Sequence, residues 1–414
     1  MYCATAADRL TRPSPNNHYV HLADSWLRGR LDLGPDAPGT NDWACFDVEK
    51  EGPCPAGRYA FSGTDDEERY RWFVSFPPLP AVLLTPFVAL CGLRTLDALF
   101  WVLFAGLGPA LLFLVFRHLR ETGRSARTER EDLLVTGIFA VGSVYYFVAV
   151  QGTVWFAAHV VATAFICLYL LSGFGARLPF FAGLSLGLAF LSRPTTALLA
   201  PFFVCEALGA SVRDRRALVR AIATFTLPLA TAAVLAMAHN FARFGDPLEF
   251  GHRFLQVRWR GRIETWGLFS THYLPRNLKV FFLSVPWWLG EAPFVRISRH
   301  GLALWITTPN LLWSLVPKKL DWTNTGLWLS VLATAGFTLL YQNTGWVQFG
   351  PRFALDYLPL LFVLMTRSRL RFGRVFWACA VLAVLLNVFG AVTFDRFHDF
   401  YDDDPTQTVI FQPD

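Results

Sequence analysis

Apolar runs of near membrane-spanning length recur along this chain with clusters of arginine between them, and no other feature narrows the possible folds as far. A helix crossing a bilayer needs about 20 mostly apolar residues, because hydrocarbon offers no hydrogen-bond partner to an exposed backbone amide. Such runs cover 96–116, 133–150, 154–171, 179–191, 195–208, 221–238, 301–316, 327–341, 353–365 and 375–394. A shorter run, 79–93, opens with Pro77, Pro78 and Pro80. Hydrophobic residues make up 54% of the chain and charged ones only 16%, against roughly a quarter charged in soluble domains. The expected fold is an all-α polytopic membrane protein, a bundle of about 10–11 transmembrane helices.

Orientation follows from where the basic residues fall, since short loops rich in Lys and Arg stay on the cytoplasmic side. Arg117, Arg120, Arg124, Arg127 and Arg130 form one basic loop, Arg177 lies in the next, and Arg213, Arg215, Arg216 and Arg220 make a third. Lys318 with Lys319, and Arg367 with Arg369, Arg371 and Arg374, complete the set. The segments between them (151–153, 192–194, 239–300, 342–352 and the tail after Asp395) then lie outside. The 239–300 loop carries nine Lys or Arg, but long loops obey the rule weakly. The chain thus divides into a first outer loop (1–78), a helix bundle (79–394) that includes the second outer loop, and an acidic outer tail (395–414). Run 79–93 either lies in the interface or re-enters, with 1–78 outside, or it spans and leaves 1–78 inside. We adopt the first reading, which calls for an apolar helix upstream of Met1. The net charge of +6 fits basic inner loops. Because the arginines flank apolar runs instead of forming one stripe, nucleic acid is not an expected partner.

Several residues invite a local reading. Cys45 and Cys54 lie in a polar stretch with Gly52, Pro53 and Gly57, and would close a short disulfide loop in an oxidising compartment. Gly183 and Gly187 are spaced to let two helices approach closely. Arg193 sits near a helix end where charge is costly, so it either has a role or pairs with a carboxylate. His159 reads as a core histidine, Glu206 as an acid at headgroup level, and Arg352 with Asp356 as a local pair four residues apart on a helix. The second outer loop interleaves Trp259, Trp266, Trp287 and Trp288 with Arg243, Arg253, Arg258, Arg260, Arg262, Arg276 and Lys279, which suits a membrane-interface element meeting phosphate. No Cys/His spacing resembles a zinc site, and Asp395, Asp399, Asp402, Asp403 and Asp404 read as a solvated terminus.

Four strings, in this order, carry a resemblance: Asn17-His-Tyr-Val-His-Leu-Ala-Asp-Ser-Trp-Leu-Arg-Gly-Arg30, Val74-Ser-Phe-Pro-Pro-Leu-Pro-Ala81, Gly187-Leu-Ala-Phe-Leu-Ser-Arg-Pro194 and Gln348-Phe-Gly-Pro-Arg-Phe353. Together they resemble the GT-C-fold glycosyltransferases, in particular the protein mannosyltransferase and lipid A aminoarabinose transferase branch. The resemblance implies a transferase in the bacterial inner membrane, with its C-terminus outside, that takes a sugar from a polyprenyl-phosphate donor at the outer face. A carboxylate in the first outer loop would act as base, and basic residues would hold the lipid phosphate. A divalent metal is compatible with this chemistry, but no residue pattern indicates one, and the acceptor is left open.

This chain departs from the family pattern at two points. Asn16, Asn17 and His18 stand where the family has an acid, and Phe76 stands where a Lys precedes Pro-Pro-Leu. Since an amide cannot act as base, the role passes to another acid of the same loop: Asp42, in Asn41-Asp-Trp43, or Asp24, ahead of Asp32 and Asp47. Arg193, Arg276, Arg352 and His18 are the expected substrate-binding residues, arginine because its planar fork matches phosphate. The missing acid also keeps open a noncatalytic protein on the same scaffold that binds or moves a lipid-linked glycan. A solute transporter is disfavoured, as no inverted repeat or pair of broken helices is visible.

Overall fold

The computed structural model describes residues 1–34, 37–39, 42–55, 69–212, 214–257 and 259–402. Asn41, Gly57, Arg213, Arg258, Asp403 and Asp404, named above, lie outside them. Local signals start and stop the helices. Thr128 and Glu131 form a capping box before Glu129–Val141, and Asp214 and Asp321 cap Arg215–Phe244 and Trp322–Leu339 by accepting from Ala217 N and Asn324 N. Each cap satisfies an amide that the first turn leaves unpaired. Gly245, at φ 71°, ends the long helix in the left-handed conformation that glycine adopts freely.

Four helices among the described residues are long and apolar enough to cross a membrane: Asp97–Glu121, Val154–Ala176, Arg215–Phe244 and Arg374–Thr393. Shorter apolar helices, Leu79–Arg94, Pro179–Phe190 and Pro194–Ala210, accompany them. The chain is a mostly helical, polytopic membrane protein. Run 301–316 departs from a continuous helix: it forms Leu304–Thr307 and then a 3-10 stretch, Pro309–Leu315, because a proline cannot extend the preceding turn.

Val154–Gly173 runs through the middle of the bundle with nearly every residue buried, and at 1.5 Å per residue it is about 30 Å long. The bundle sorts its connections to the two ends of this helix. At one end Arg124 reaches Glu206 (2.7 Å) and Thr323 (2.9 Å), Arg367 reaches Asp321 (2.8 Å), and Arg127 donates to the carbonyls of Thr366, Ser368 and Leu370. At the other end Val154 N donates to Asn16 O, Leu79 N to Leu191 O, Gln342 N to Leu268 O, and Arg299 N to Asp402 O. The segments that the arginine pattern grouped on one face therefore meet one another, and the basic loops meet at the opposite end.

Two small sheets among the described residues build the layer at the second end. Strands β1 (Trp43–Asp47), β2 (Gly52–Pro53) and β3 (Tyr70–Val74) pair antiparallel in the order β2-β1-β3, with Trp43 opposite Val74. The Cys45–Cys54 disulfide staples β1 to the start of the next segment, as expected from the sequence. Strands β4 (Trp287–Trp288), β5 (Val295–Ser298) and β6 (Tyr401–Asp402) form the other sheet. The loop around Leu255 docks on β1 through an Ala44–Leu255 bridge and a Gln256 N to Trp43 O bond, while Arg243 Nη1 donates to Val74 O (2.6 Å). Within β1, burial alone would raise the Asp47 carboxyl, but the Arg69 guanidinium and the Lys50 amide hold it below the usual carboxylate range.

The glycine pair does what its spacing implied. A Cβ on Gly183 would lie 1.9 Å from the Phe225 carbonyl oxygen, and one on Gly187 would lie 2.9 Å from Ala232 Cβ, so Pro179–Phe190 packs directly on the backbone of Arg215–Phe244. We expect Gly183→Val to force these helices apart and cost about 1–3 kcal/mol, read as a lowered melting temperature in detergent. Because the folded state depresses the Asp47 pKa, the stability it gives is present above the unfolded value and lost as pH falls through the acidic range. Asp47→Asn should flatten the acid side of a melting-temperature profile.

Candidate functional site

The polar centre at the second end is built around Asp356, on the 3-10 turn Arg352–Asp356 and fully buried. Arg193 leaves the Pro179–Phe190 helix in extended backbone, as the residue before a proline does. This aims its guanidinium at Asp356, Nε 3.1 Å from Oδ1 and Nη2 2.9 Å from Oδ2. Thr195 Oγ1 donates to Oδ2 (2.6 Å), and His159 Nδ1 lies 3.2 Å from Oδ1. Arg193 thus pairs with a carboxylate, one of the two readings that its position left open. Asp356 was expected to pair locally with Arg352, and the structure corrects this: the segment is a 3-10 turn, not an α-helix, no ion pair joins the two side chains, and Asp356 pairs with a residue 163 positions away.

Arg352 is also buried, yet among the described residues no carboxylate forms an ion pair with it. Its Nη1 donates to the carbonyls of Gly345 and Val347, and its Nε is buried without a partner. Burial, followed by the like charge of Arg193, lowers the Arg352 pKa to about 9. Phe353 stands between the two cations, its ring 5.1 Å from the Arg193 guanidinium and 5.2 Å from that of Arg352, within cation–π range of each.

Asp42 faces this pair from the first loop. It precedes β1 at φ 57°, a left-handed conformation that aspartate tolerates better than most residues. Its Oδ2 accepts from Trp155 Nε1 at 2.6 Å. Burial raises the Asp42 carboxyl above its usual range, and the Trp155 hydrogen bond and the Arg352 charge oppose that rise. Beside it His18 stacks on Trp43, centroids 3.8 Å apart and planes at 11°, with Phe76 edge-on to His18 at 5.3 Å. Phe76, where the family pattern has a Lys, thus packs an aromatic wall.

Two expected site residues lie apart. Asp24, on the His18–Leu27 helix, pairs with Arg28 one turn later at 2.9 Å. Arg276 is buried on Leu274–Leu283 and donates to the Gln342 carbonyl and to Asn277 Oδ1 (3.3 Å). With Arg262, which also reaches the Gln342 carbonyl (3.4 Å), it fixes the loop whose later carbonyls hold Arg352. Among the described residues no group of three or more His, Cys, Asp or Glu is placed to hold a metal ion. Sequence reasoning missed Trp155 and Thr195 as site residues, and no sequence signal marks either: one is an aromatic at a helix start, the other a threonine after proline.

No family model matches the chain, and no curated protein matches it. Two solved structures are similar. One is the oligosaccharyltransferase of Archaeoglobus fulgidus tethered with an acceptor peptide containing the NVT sequon, at 12% identity and a TM-score of 0.49. The other is the oligosaccharyltransferase AglB of the same organism with an inhibitory peptide and a dolichol-phosphate, at 11% identity and a TM-score of 0.45. Each match covers 98% of this chain and 55% of the other, so the chain spans about half the length of those proteins. Likeness this loose assigns neither a family nor an activity.

The buried pair gives a test of the site's architecture. Asp356→Ala should cost about 3–5 kcal/mol by stranding the Arg193 charge. An Asp356→Leu/Arg193→Met double variant should lose much less than the sum of the single losses in the same unfolding assay.

Proposed function

We propose that this chain is a membrane glycosyltransferase of GT-C type, moving a sugar from a polyprenyl-phosphate donor to an acceptor at the outer face of a bacterial inner membrane. One observation carries the reading: Trp155 holds the Asp42 carboxylate (2.6 Å) where the charge of buried Arg352 acts on it, and among the described residues Arg352 forms no ion pair and leaves its Nε unbonded. In this reading the end of the bundle holding Asp42 faces outward, and the lipid tail of the donor stays in the bilayer. Asp42 accepts the proton of the acceptor hydroxyl as that oxygen bonds to the sugar's anomeric carbon. The bond from that carbon to the phosphate oxygen breaks, and the phosphate leaves with the electron pair toward Arg352 and Arg193. Cations placed where charge develops lower the barrier most in a site that excludes water. Arg276 acts at one remove by holding the 342–352 loop, His18 with Trp43 forms a wall, and Asp24, already paired with Arg28, is the lesser candidate for base.

The second reading, a noncatalytic protein that binds or moves a lipid-linked glycan, is favoured by Asn16 and Asn17 in place of an acid and by the Trp155 indole already engaging Asp42. Proteoliposomes given a polyprenyl-phosphate sugar and a panel of acceptors separate the two. Asp42→Asn preserves the acceptor atom for Trp155 and should slow transfer about a hundredfold or more, with donor binding retained. Donor binding without turnover for any acceptor would establish the second reading instead. Activity should rise with pH along an acid limb above the usual carboxylate value, and Trp155→Phe, which removes a hydrogen bond to the ionised form, should move that limb higher.

A further inference from the structure

We infer that the Leu274–Leu283 helix and the β4–β5 hairpin that follows it dip into the headgroup layer of the leaflet at the site end of the bundle. The helix has two faces. Arg276, Asn277 and Val280 are buried against the protein, whereas Leu278, Phe282 and Leu283 are exposed, Leu283 by 67%. In the hairpin Trp288 is 79% exposed and Phe294 61%. Phe294 holds φ 66°, a conformation that bulky residues avoid, and it does so with its ring turned outward, away from any core.

Depth decides what covers this ridge. Asn277 Nδ2 donates to the carbonyls of Leu339 (2.8 Å) and Tyr341 (2.7 Å), closing the end of the Trp322–Leu339 helix. That helix is about 27 Å long, and its far end, at Asp321, is held by Arg367 in the opposite polar layer. The amphipathic helix is therefore fixed one spanning length away from the arginine end, at the level of a bilayer surface. Trp305 Nε1 donates to the Phe282 carbonyl and leaves its own ring 43% exposed at the same level. A helix with one apolar face and indoles at this depth fits the interface, where an aromatic body meets acyl chains and its polar edge meets headgroups. With two residue pairs in register, the hairpin is too short to cross and long enough to anchor.

The full chain, reconstituted in vesicles of equal parts phosphatidylethanolamine and phosphatidylglycerol, tests this with trace phospholipid carrying a diazirine either next to the headgroup or at the acyl-chain end. After irradiation, peptide mass spectrometry should find adducts across 282–294 several-fold more abundant with the headgroup-proximal probe. The exposed middle of Arg374–Thr393 should show the reverse preference. A Trp288→Asp/Phe294→Asp variant should lose the hairpin adducts and keep those on 374–393, which reports that the bundle is intact. The inference is overturned if 282–294 stays unlabelled while the bundle helices label, if the variant labels as strongly as the parent chain, or if the hairpin cross-links to a second copy instead of lipid. Sugar transfer is not read, so the result is independent of the proposed activity.

Discussion

A single buried carboxylate organises one end of this protein. Asp356 draws together the turn after one helix, through Arg193 and Thr195, and the middle helix of the bundle, through His159. Ionised and without solvent it would be unaffordable; forked by arginine and bonded by a hydroxyl, it becomes a fixed point. Phe353, three residues before it, is positioned by the same turn, and so is Arg352. The arrangement of cations about the Phe353 ring therefore depends on Asp356 even though Asp356 touches only one of them.

The two ends of the bundle use charge differently. At the arginine end each cation that penetrates the helix layer meets an acid or a helix carbonyl: Arg124 meets Glu206, Arg367 meets Asp321, and Arg127 caps the Leu358–Thr366 helix. These are structural closures, and Glu206, which the sequence placed at headgroup level, belongs to them. At the other end Arg352 meets no acid among the described residues, and its Nη1 is bonded to carbonyls that its own loop supplies. Carbonyl dipoles satisfy one edge of this guanidinium without neutralising its charge, and its Nε has no partner among the described residues.

Much of this was legible in the sequence. Apolar runs and the glycine pair read directly, because hydrocarbon length and the close approach of two helices leave local marks. The grouping of loops read from arginine positions is matched by the contacts that join them. Arg193, Arg352 and Asp42 were each picked out one at a time, from charge in a costly place or from a motif. Their relation was hidden: the spacing of Arg352 and Asp356 matched a helix, and only the 3-10 turn after Pro351 undoes that match. Arg276 looked like a phosphate ligand because its environment is basic and aromatic, and the Gln342 carbonyl that it holds is remote in sequence. Trp155 could not have been assigned to Asp42, since 113 residues separate them and neither contains a cue for the other.

The Arg215–Phe244 helix has 30 residues and is about 45 Å long, half as long again as the hydrocarbon it crosses. Its excess turns rise out of the lipid and end in Asn240 and Arg243, the latter bonded to the last residue of β3. One helix, with Pro228 inside it, therefore spans the lipid belt and touches the sheet whose first strand follows Asp42. In a thinner bilayer a helix of this length tilts or kinks to keep its apolar stretch within the hydrocarbon, and its Arg243 end is bonded to Val74. Val74 in turn pairs with Trp43, the residue after Asp42, so the strand beside the carboxylate is tied to a helix whose length clearly exceeds the lipid's.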